Sequence, residues 1–319
     1  MPIQVLTSGA TSIAVMEAAG SGEPGDGDER AARLSAVSAA VEELLLYRGA
    51  VLLRGLGVRD AVGFHDVVSF FGRPFEEYRG NSPRQAVHDG VWTSTDYPAE
   101  YDISLHNELS QAAVWPARLF FCCLEPPRTG GETPVSDGRA MLAGMDPAVR
   151  ARFEERGVAY LQNLHSGYGP GRSWQDTYET DDPGKVEAYL RESDAAFAWT
   201  EDEDLRIRQV RPATRRHPVT GEEVWFNQAE QFDVSSLPAE HAGALLALAG
   251  SREELPQTAA FGDGSPIPEA DLEHVRELAR RGECSFRWQP GDILAIDNML
   301  VMHGRHAYTG HRKILVAMT

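Results

Sequence analysis

The sequence predicts a mainly β protein with helical insertions, closed on itself. Three observations point there: short strand-like runs crowd residues 90–135, strand character returns from Cys284 to the C-terminus, and two well-punctuated helices lie between. Strands at both ends with helices between them fit one closed β-structure better than two domains in series. No proline- or serine-rich linker divides the 319 residues. One domain spanning 1–319 is therefore expected, with helical and loop insertions at about 139–205 and 236–282.

The elements follow in order. A strand is expected around Ser12–Met16, then a surface loop through the Gly-, Ala- and acid-rich stretch Ala18–Asp28. A helix follows over Glu29–Tyr47, where Leu34, Val37, Val41, Leu44 and Leu45 recur at the spacing of an amphipathic stripe. Ala50–Leu56, an apolar run closed by glycine, reads as a buried strand. Val91–Thr95, Ile103–His106 and Ala117–Leu124 read as strands, separated by turn-formers such as Pro126-Pro127 and Gly130-Gly131. Residues 139–200 look mostly helical and loop-like. Strand character returns in Arg206–Arg211 and Glu223–Asn227. Two helices are expected at Leu237–Leu248, with Ser236 as N-cap, and at Glu269–Arg281, ended by Gly282. Strands at Cys284–Trp288, Asp292–Asp297 and Lys313–Met318 complete the chain.

Composition narrows the function classes. A formal charge of −18 repels polyanions, which argues against nucleic acid and anionic membrane surfaces as partners. The local exception is the cluster Arg206, Arg208, Arg211, Arg215 and Arg216, whose plainer reading is a solvated mixed-charge face. Three cysteines, Cys122, Cys123 and Cys284, describe neither a disulfide framework nor a zinc module; the first two sit in an apolar run and read as core. The N-terminus lacks the basic-then-apolar pattern of a secretory signal, and no apolar stretch approaches the roughly 20 residues that cross a bilayer. A cytoplasmic location is the expectation.

Chemistry concentrates in a few places. In a strand, residues i and i+2 share a face, so His106 and Glu108 would project together while Asn107 points away. His303 follows the apolar strand Ile293–Ile296, on a strand end or the loop just beyond. Two histidines and a carboxylate on one face form the triad that holds non-haem iron(II) and leaves coordination positions open. An H-x-E alone is a weak signal. Its company strengthens it: Gly130-Gly131-Glu132-Thr133-Pro134 presents a hydroxyl after a glycine turn, and Arg312 opens a C-terminal strand. A dicarboxylate co-substrate that chelates iron through its keto-acid end leaves a second carboxylate, which a guanidinium fork grips on both oxygens and which a threonine hydroxyl can assist.

Beyond about Ala50 the chain resembles the taurine dioxygenase/TfdA-like family of iron(II)/2-oxoglutarate oxygenases, and within it the clavaminate-synthase-like and SyrP-like branch. The resemblance rests on Gly80-Asn81-Ser82-Pro83-Arg84, Thr93-Ser94-Thr95-Asp96-Tyr97-Pro98, His106-Asn107-Glu108, Gly130–Pro134, Trp225-Phe226-Asn227-Gln228, His303-Gly304-Arg305 and Gly310-His311-Arg312. It implies a double-stranded β-helix (jelly-roll, cupin-like) core flanked by helices. It further implies iron(II) on His106, Glu108 and His303, the distal carboxylate of 2-oxoglutarate on Arg312 and Thr133, and O2 as oxidant. The implied reaction turns 2-oxoglutarate into succinate and carbon dioxide and hydroxylates an unactivated C–H bond; desaturation and cyclisation share its first step. A carboxylate at position 108 argues against halogenation, since related halogenases lack it. Val316 stands where the taurine enzyme has its sulfonate-binding arginine, which argues against a sulfonate substrate. The branch implies an amino acid or amino-acid-derived intermediate of specialised metabolism such as antibiotic biosynthesis, free or on a peptidyl carrier protein. The rival readings are a non-catalytic metal- or ligand-binding protein and a zinc hydrolase on the same three ligands.

Asn81, Arg84, Trp92, Asn227, Gln228 and Arg305 are candidate substrate-pocket residues; for Arg305 a structural role is the better expectation. His306 and His311 are spare ligands at most. Gly20–Gly25 spells a dinucleotide loop, but its proline and acidic neighbours are hostile to a pyrophosphate.

Overall fold

The computed structural model describes residues 2–18, 27–75 and 84–319. Its centre is an eight-stranded sheet in the order Ile3–Ser8, Thr11–Glu17, Ala50–Arg54, Ile293–Asp297, Arg118–Glu125, Lys313–Met318, Val91–Thr93, Ala86–His88. Strands far apart in sequence alternate here: Arg118–Glu125 lies between Ile293–Asp297 and Lys313–Met318, antiparallel to both.

Both faces of the sheet's inner strands are covered, which explains why Ala50–Arg54, Arg118–Glu125, Ile293–Asp297 and Lys313–Met318 read as unbroken apolar runs rather than alternating ones. One face carries Phe120, Cys122, Ala295, Leu315 and Ala317 against Leu34, Val37, Val41 and Leu45 of the helix Gly27–Arg48 and Phe64, Val67 and Val68 of the helix Ala61–Val68. The other carries Leu119, Phe121, Cys123, Leu294, Ile296, Ile314 and Val316, which share a cluster with Val135, Leu300 and Val301. Each fully buried side chain of this size contributes about 1.5–3 kcal/mol. Burial pushes the thiols of Cys122 and Cys123 up to about 12, so both stay neutral core residues as expected.

Facing that second surface is a three-stranded sheet, Ile103–His106, Val301–Arg305 and Val135–Asp137, with Val301–Arg305 in the middle. A separate four-stranded sheet, Ala196–Trp199, Leu205–Arg211, Val158–Leu164 and Gln257–Phe261, holds the remaining long strands. The architecture is thus mixed sheet and helix. Among the described residues no helix is long and apolar enough to cross a membrane.

Several expected boundaries hold, including Glu269–Arg281 and Lys313–Met318. Others need correction. Residues 139–200 contain two strands, Val158–Leu164 and Ala196–Trp199. In the first, Leu161 is half-exposed while Gln162 is buried, so residue polarity does not follow the alternation of burial. Ser236 does not cap a helix: it ends a 3-10 turn, Val234–Ser236, and the helix Ala239–Ala249 begins after Pro238. Cys284–Trp288 alternates buried and exposed like a strand but finds, among the described residues, no ladder partner beyond a bridge between Cys284 and Val135. Asn81 and the Gly20–Gly25 segment lie outside the described residues.

Candidate metal and co-substrate site

His106 closes the strand Ile103–His106, and His303 sits mid-strand in Val301–Arg305, directly opposite it in the antiparallel register. Glu108 lies past the strand end, in a turn where Leu109 adopts φ 55°. The common face expected from strand pleating is therefore reached by a turn instead. Asn107 and Asn298 fix that turn. Asn107 Nδ2 donates to the carbonyls of Asn298 (2.7 Å) and Val301 (3.2 Å). Asn298 Oδ1 accepts from Glu108 N–H (2.8 Å), and its Nδ2 donates to Glu108 O (2.9 Å). The turn preceding His303 is capped in turn by Asp297, which accepts from Met299 and Leu300 N–H and is held by His217 at 3.1 Å.

Ligand atoms of His106, Glu108 and His303 all lie within 4.8 Å of one another, and all three side chains are buried. His303 Nε2 stands 3.8 Å from Glu108 Oε2, too far for a hydrogen bond. The two imidazoles are 4.4 Å apart between centroids, and Phe121 packs 5.1 Å from His303. His106 Nδ1 is 2.8 Å from Ser104 O. A carbonyl only accepts, so this contact places the proton on Nδ1 and leaves the Nε2 lone pair available. Burial lowers the pKa of His106 and, together with its neighbour His106, that of His303. Two neutral imidazoles and one carboxylate on a common focus fit a first-row divalent ion such as iron(II). Arg84 Nη2 reaches Glu108 Oε2 at 2.6 Å.

The co-substrate candidates share the turn next to the His303 strand. The turn Gly130–Pro134 is tied to the segment around His303 through Gly131 N–H to Ala307 O (3.1 Å), His306 N–H to Glu132 O (3.1 Å) and Gly304 N–H to Pro134 O (3.0 Å). Arg312 Nε donates to Gly131 O (3.1 Å) and Nη1 to Ser94 Oγ (3.3 Å), while its guanidinium lies 5.5 Å from the Tyr308 ring centroid. Gly131 has φ +72°, and a Cβ there would meet Pro127 Cγ at 2.6 Å and Arg312 Cδ at 3.2 Å. Only glycine lets the guanidinium stem pass. Burial first, then Arg305, pushes Arg312 down to about 10, still charged at neutral pH. Thr133 is buried two residues along the same turn.

The remaining candidates separate. Gln228 lines a cavity of about 250 Å³ that also takes in His106 and Glu108. Asn227 is committed to the backbone, donating to Ala213 O (2.8 Å) and accepting from Ala229 N–H (3.0 Å). Trp92 belongs to the core cluster on the sheet face that looks toward His303. Arg305 donates to three carbonyls, of Tyr97, Pro98 and Tyr101 at 2.6–2.9 Å, which is the structural role expected of it. His306 pairs with Glu283 and the exposed His311 with Glu125, away from the triad. The arginine cluster is largely spent on ion pairs and carbonyls: Arg206 on Glu254, Arg208 on Gly262 O, Arg211 on Ser193 O, Arg216 on Glu223. Asn298 had drawn no attention in the sequence; an amide beside the capping Asp297, just before a strand carrying a ligand, was the available signal.

A sequence profile described as "Taurine catabolism dioxygenase TauD, TfdA family" matches residues 16–319, nearly the whole chain. The protein belongs to the TauD/TfdA dioxygenase family. It is an iron(II)- and 2-oxoglutarate-dependent dioxygenase, and its buried His-x-Glu…His cluster suits that cofactor pair. The dioxygenase is 36% identical over 279 residues to the dapdiamide synthesis protein DdaC of Enterobacter agglomerans, covering 87% of this chain and 84% of DdaC. It is 32% identical over 288 residues to a clavaminate synthase-like protein of Arabidopsis thaliana, covering 87% and 83%. Among solved structures it resembles PvcB of Pseudomonas aeruginosa (TM-score 0.57, 14% identity, 100% of this chain and 91% of PvcB). A taurine dioxygenase from Burkholderia xenovorans is similarly close (TM-score 0.55, 16% identity, 99% and 88%). At these identities the structural likeness speaks for the fold.

Proposed function

We propose that this dioxygenase hydroxylates an unactivated C–H bond of an amino acid or amino-acid-derived intermediate of specialised metabolism, in a double-stranded β-helix core formed by a single domain. His106, Glu108 and His303 would hold the iron, and Arg312 with Thr133 the distal carboxylate of 2-oxoglutarate. When bound, iron(II), 2-oxoglutarate and O2 supply oxidative decarboxylation of the co-substrate coupled to C–H oxidation. The single observation that carries the reading is the convergence of the three buried ligand residues within 4.8 Å.

The chain's own residues do the positioning. Ser104 O keeps His106 in one tautomer, Asn107 and Asn298 hold the Glu108 turn, and Arg84 neutralises the carboxylate from the side. Phe121 and the apolar cluster behind His303 exclude water from that side of the metal position. Val316, fully buried in the apolar cluster, offers nothing to a sulfonate. The amino-acid-related substrate draws support from the curated relative named for dapdiamide synthesis and from PvcB, described as an oxygenase of an isonitrile synthetic pathway. Whether the substrate is free or carried on a peptidyl carrier protein is read by offering both forms.

The test is succinate formation and O2 consumption by purified protein with iron(II), 2-oxoglutarate and a panel of free and carrier-bound amino acids. Stimulation of both by a panel member, with stoichiometric hydroxylated product, supports the reading. Turnover that proceeds with zinc and without O2 would replace it with a hydrolase.

A further inference from the structure

Two cavities share a wall. The one that includes His106 and Glu108 has a volume of about 250 Å³, and a second of about 290 Å³ lies beyond it. Gln231, Phe232, Ser236, Leu237 and Gln257 line both. Small-molecule sites usually measure roughly 300–1,000 Å³. The metal-side cavity falls short of that alone, whereas the two together fall within it.

Their chemistries differ. The metal-side cavity takes in the carboxylates of Asp96 and Asp102 and the amides of Gln111 and Gln228, and among the described residues no Lys or Arg lines it. The carboxamide oxygens of Gln111 and Gln228 are buried and lack a hydrogen-bond partner among the described residues. With Gln228 Nε2 donating to Gln231 Oε1 at 3.0 Å, the oxygen is the end of the Gln228 amide left without a partner. Buried acceptors left open in this way call for N–H donors from a ligand. The far cavity presents the apolar Leu164, Val234, Leu245 and Pro256, with Gln162, Arg172, Thr177 and Asp233 as its own polar lining. The wall between them is anchored: Glu230 pairs with Arg276 at 2.7 Å, and Asp233 pairs with Arg252 while capping Ser235 N–H. The shared wall is therefore fixed by the fold.

We propose that the substrate is an amine-bearing amino-acid derivative elongated by an apolar tail. The amine meets Gln111 and Gln228 beside the metal position, and the tail passes Phe232 into the far cavity. This rests on the reading of the site as an iron/2-oxoglutarate centre.

The experiment is calorimetry on the full-length protein loaded with Mn(II) and 2-oxoglutarate. The probes are the simple amides and the N-hexyl amides of alanine, valine, lysine and phenylalanine, each with the α-amine free or acetylated. For at least one amino acid the free-amine hexyl amide is expected to bind about tenfold or more tighter than the simple amide, a modest share of what a buried six-carbon chain can contribute. Acetylation should cost a similar factor. Leu245→Trp, on a half-exposed helix face, should collapse the long-to-short ratio toward one, and Gln228→Leu should erase the preference for the free amine. No gain from the tail for any probe, a gain that survives Leu245→Trp, or indifference to acetylation would each overturn the proposal. The heat of 2-oxoglutarate binding is recorded in the same samples. Its absence would sink the co-substrate reading, while the probe ratios report separately on the two cavities.

Discussion

Arg84 Nη2 lies 2.6 Å from Glu108 Oε2, and both side chains are only 4% exposed. A carboxylate this deep needs a compensating charge. Arg84 supplies one, and a divalent cation on the triad would supply another. Arg84→Met is therefore expected to destabilise the metal-free protein by about 3 kcal/mol, and Mn(II) to raise Tm more in the variant than in wild type. Thermal denaturation with and without Mn(II) reads this directly; equal metal-induced shifts would mean that Arg84 and the cation do not serve the same carboxylate.

Arg312 is held by Gly131 O and Ser94 Oγ, with its fork beside the Thr133 turn. Losing a charge-assisted fork to a carboxylate costs about 2–3 kcal/mol. Arg312→Ala should weaken 2-oxoglutarate binding by roughly 30- to 100-fold, and Arg312→Lys by less, since an ammonium keeps the charge but loses the fork. Calorimetry in Mn(II) checks it, and an unchanged affinity in the alanine variant would place the distal carboxylate elsewhere.

Arg305 gathers the carbonyls of Tyr97, Pro98 and Tyr101. Arg305→Met leaves three acceptors without their donor, which should lower stability by about 2–3 kcal/mol. Because Asp96 and Tyr97 line the metal-side cavity, KM for the substrate should rise more than kcat falls. Urea denaturation and steady-state kinetics separate the two effects.

His306 and Glu283 form a partly buried pair at 2.7 Å, and this hydrogen bond raises the His306 pKa against the cost of burial. The folded protein thus holds the proton to higher pH than the unfolded chain. The stabilisation is fully present below the unfolded value of about 6.5 and is lost as pH rises through the raised folded value. Glu283→Gln should cost about 0.5–1 kcal/mol at acidic pH and little at alkaline pH. Urea midpoints at the two extremes measure it, and a pH-independent loss would argue against the pair.

The site was more legible than the scaffold around it. His106, Glu108 and His303, which the fold brings together, could be picked out because metal ligation admits few residue types, and Thr133 and Arg312 are proposed on the same ground of carboxylate recognition. The strand Val158–Leu164 could not, because a half-exposed Leu161 and a buried Gln162 break the alternation of polarity that identifies a strand. Cys284–Trp288 failed in the opposite sense: its alternation is real, but a ladder also needs a neighbouring backbone, and among the described residues only Val135 provides one. The Asn107–Asn298 lock and the Arg84–Glu108 pair join residues 191 and 24 positions apart, and no local pattern announces such partners.

The central claim is that one iron(II), held by His106, Glu108 and His303, binds 2-oxoglutarate in this protein. Anaerobic titration of the apoprotein with iron(II) and then 2-oxoglutarate, followed by visible absorption, tests it most directly. A metal-to-ligand charge-transfer band should grow to one equivalent of each and be lost in His303→Ala that remains folded by circular dichroism. No band in wild type, with iron bound and 2-oxoglutarate silent by calorimetry, would contradict the account.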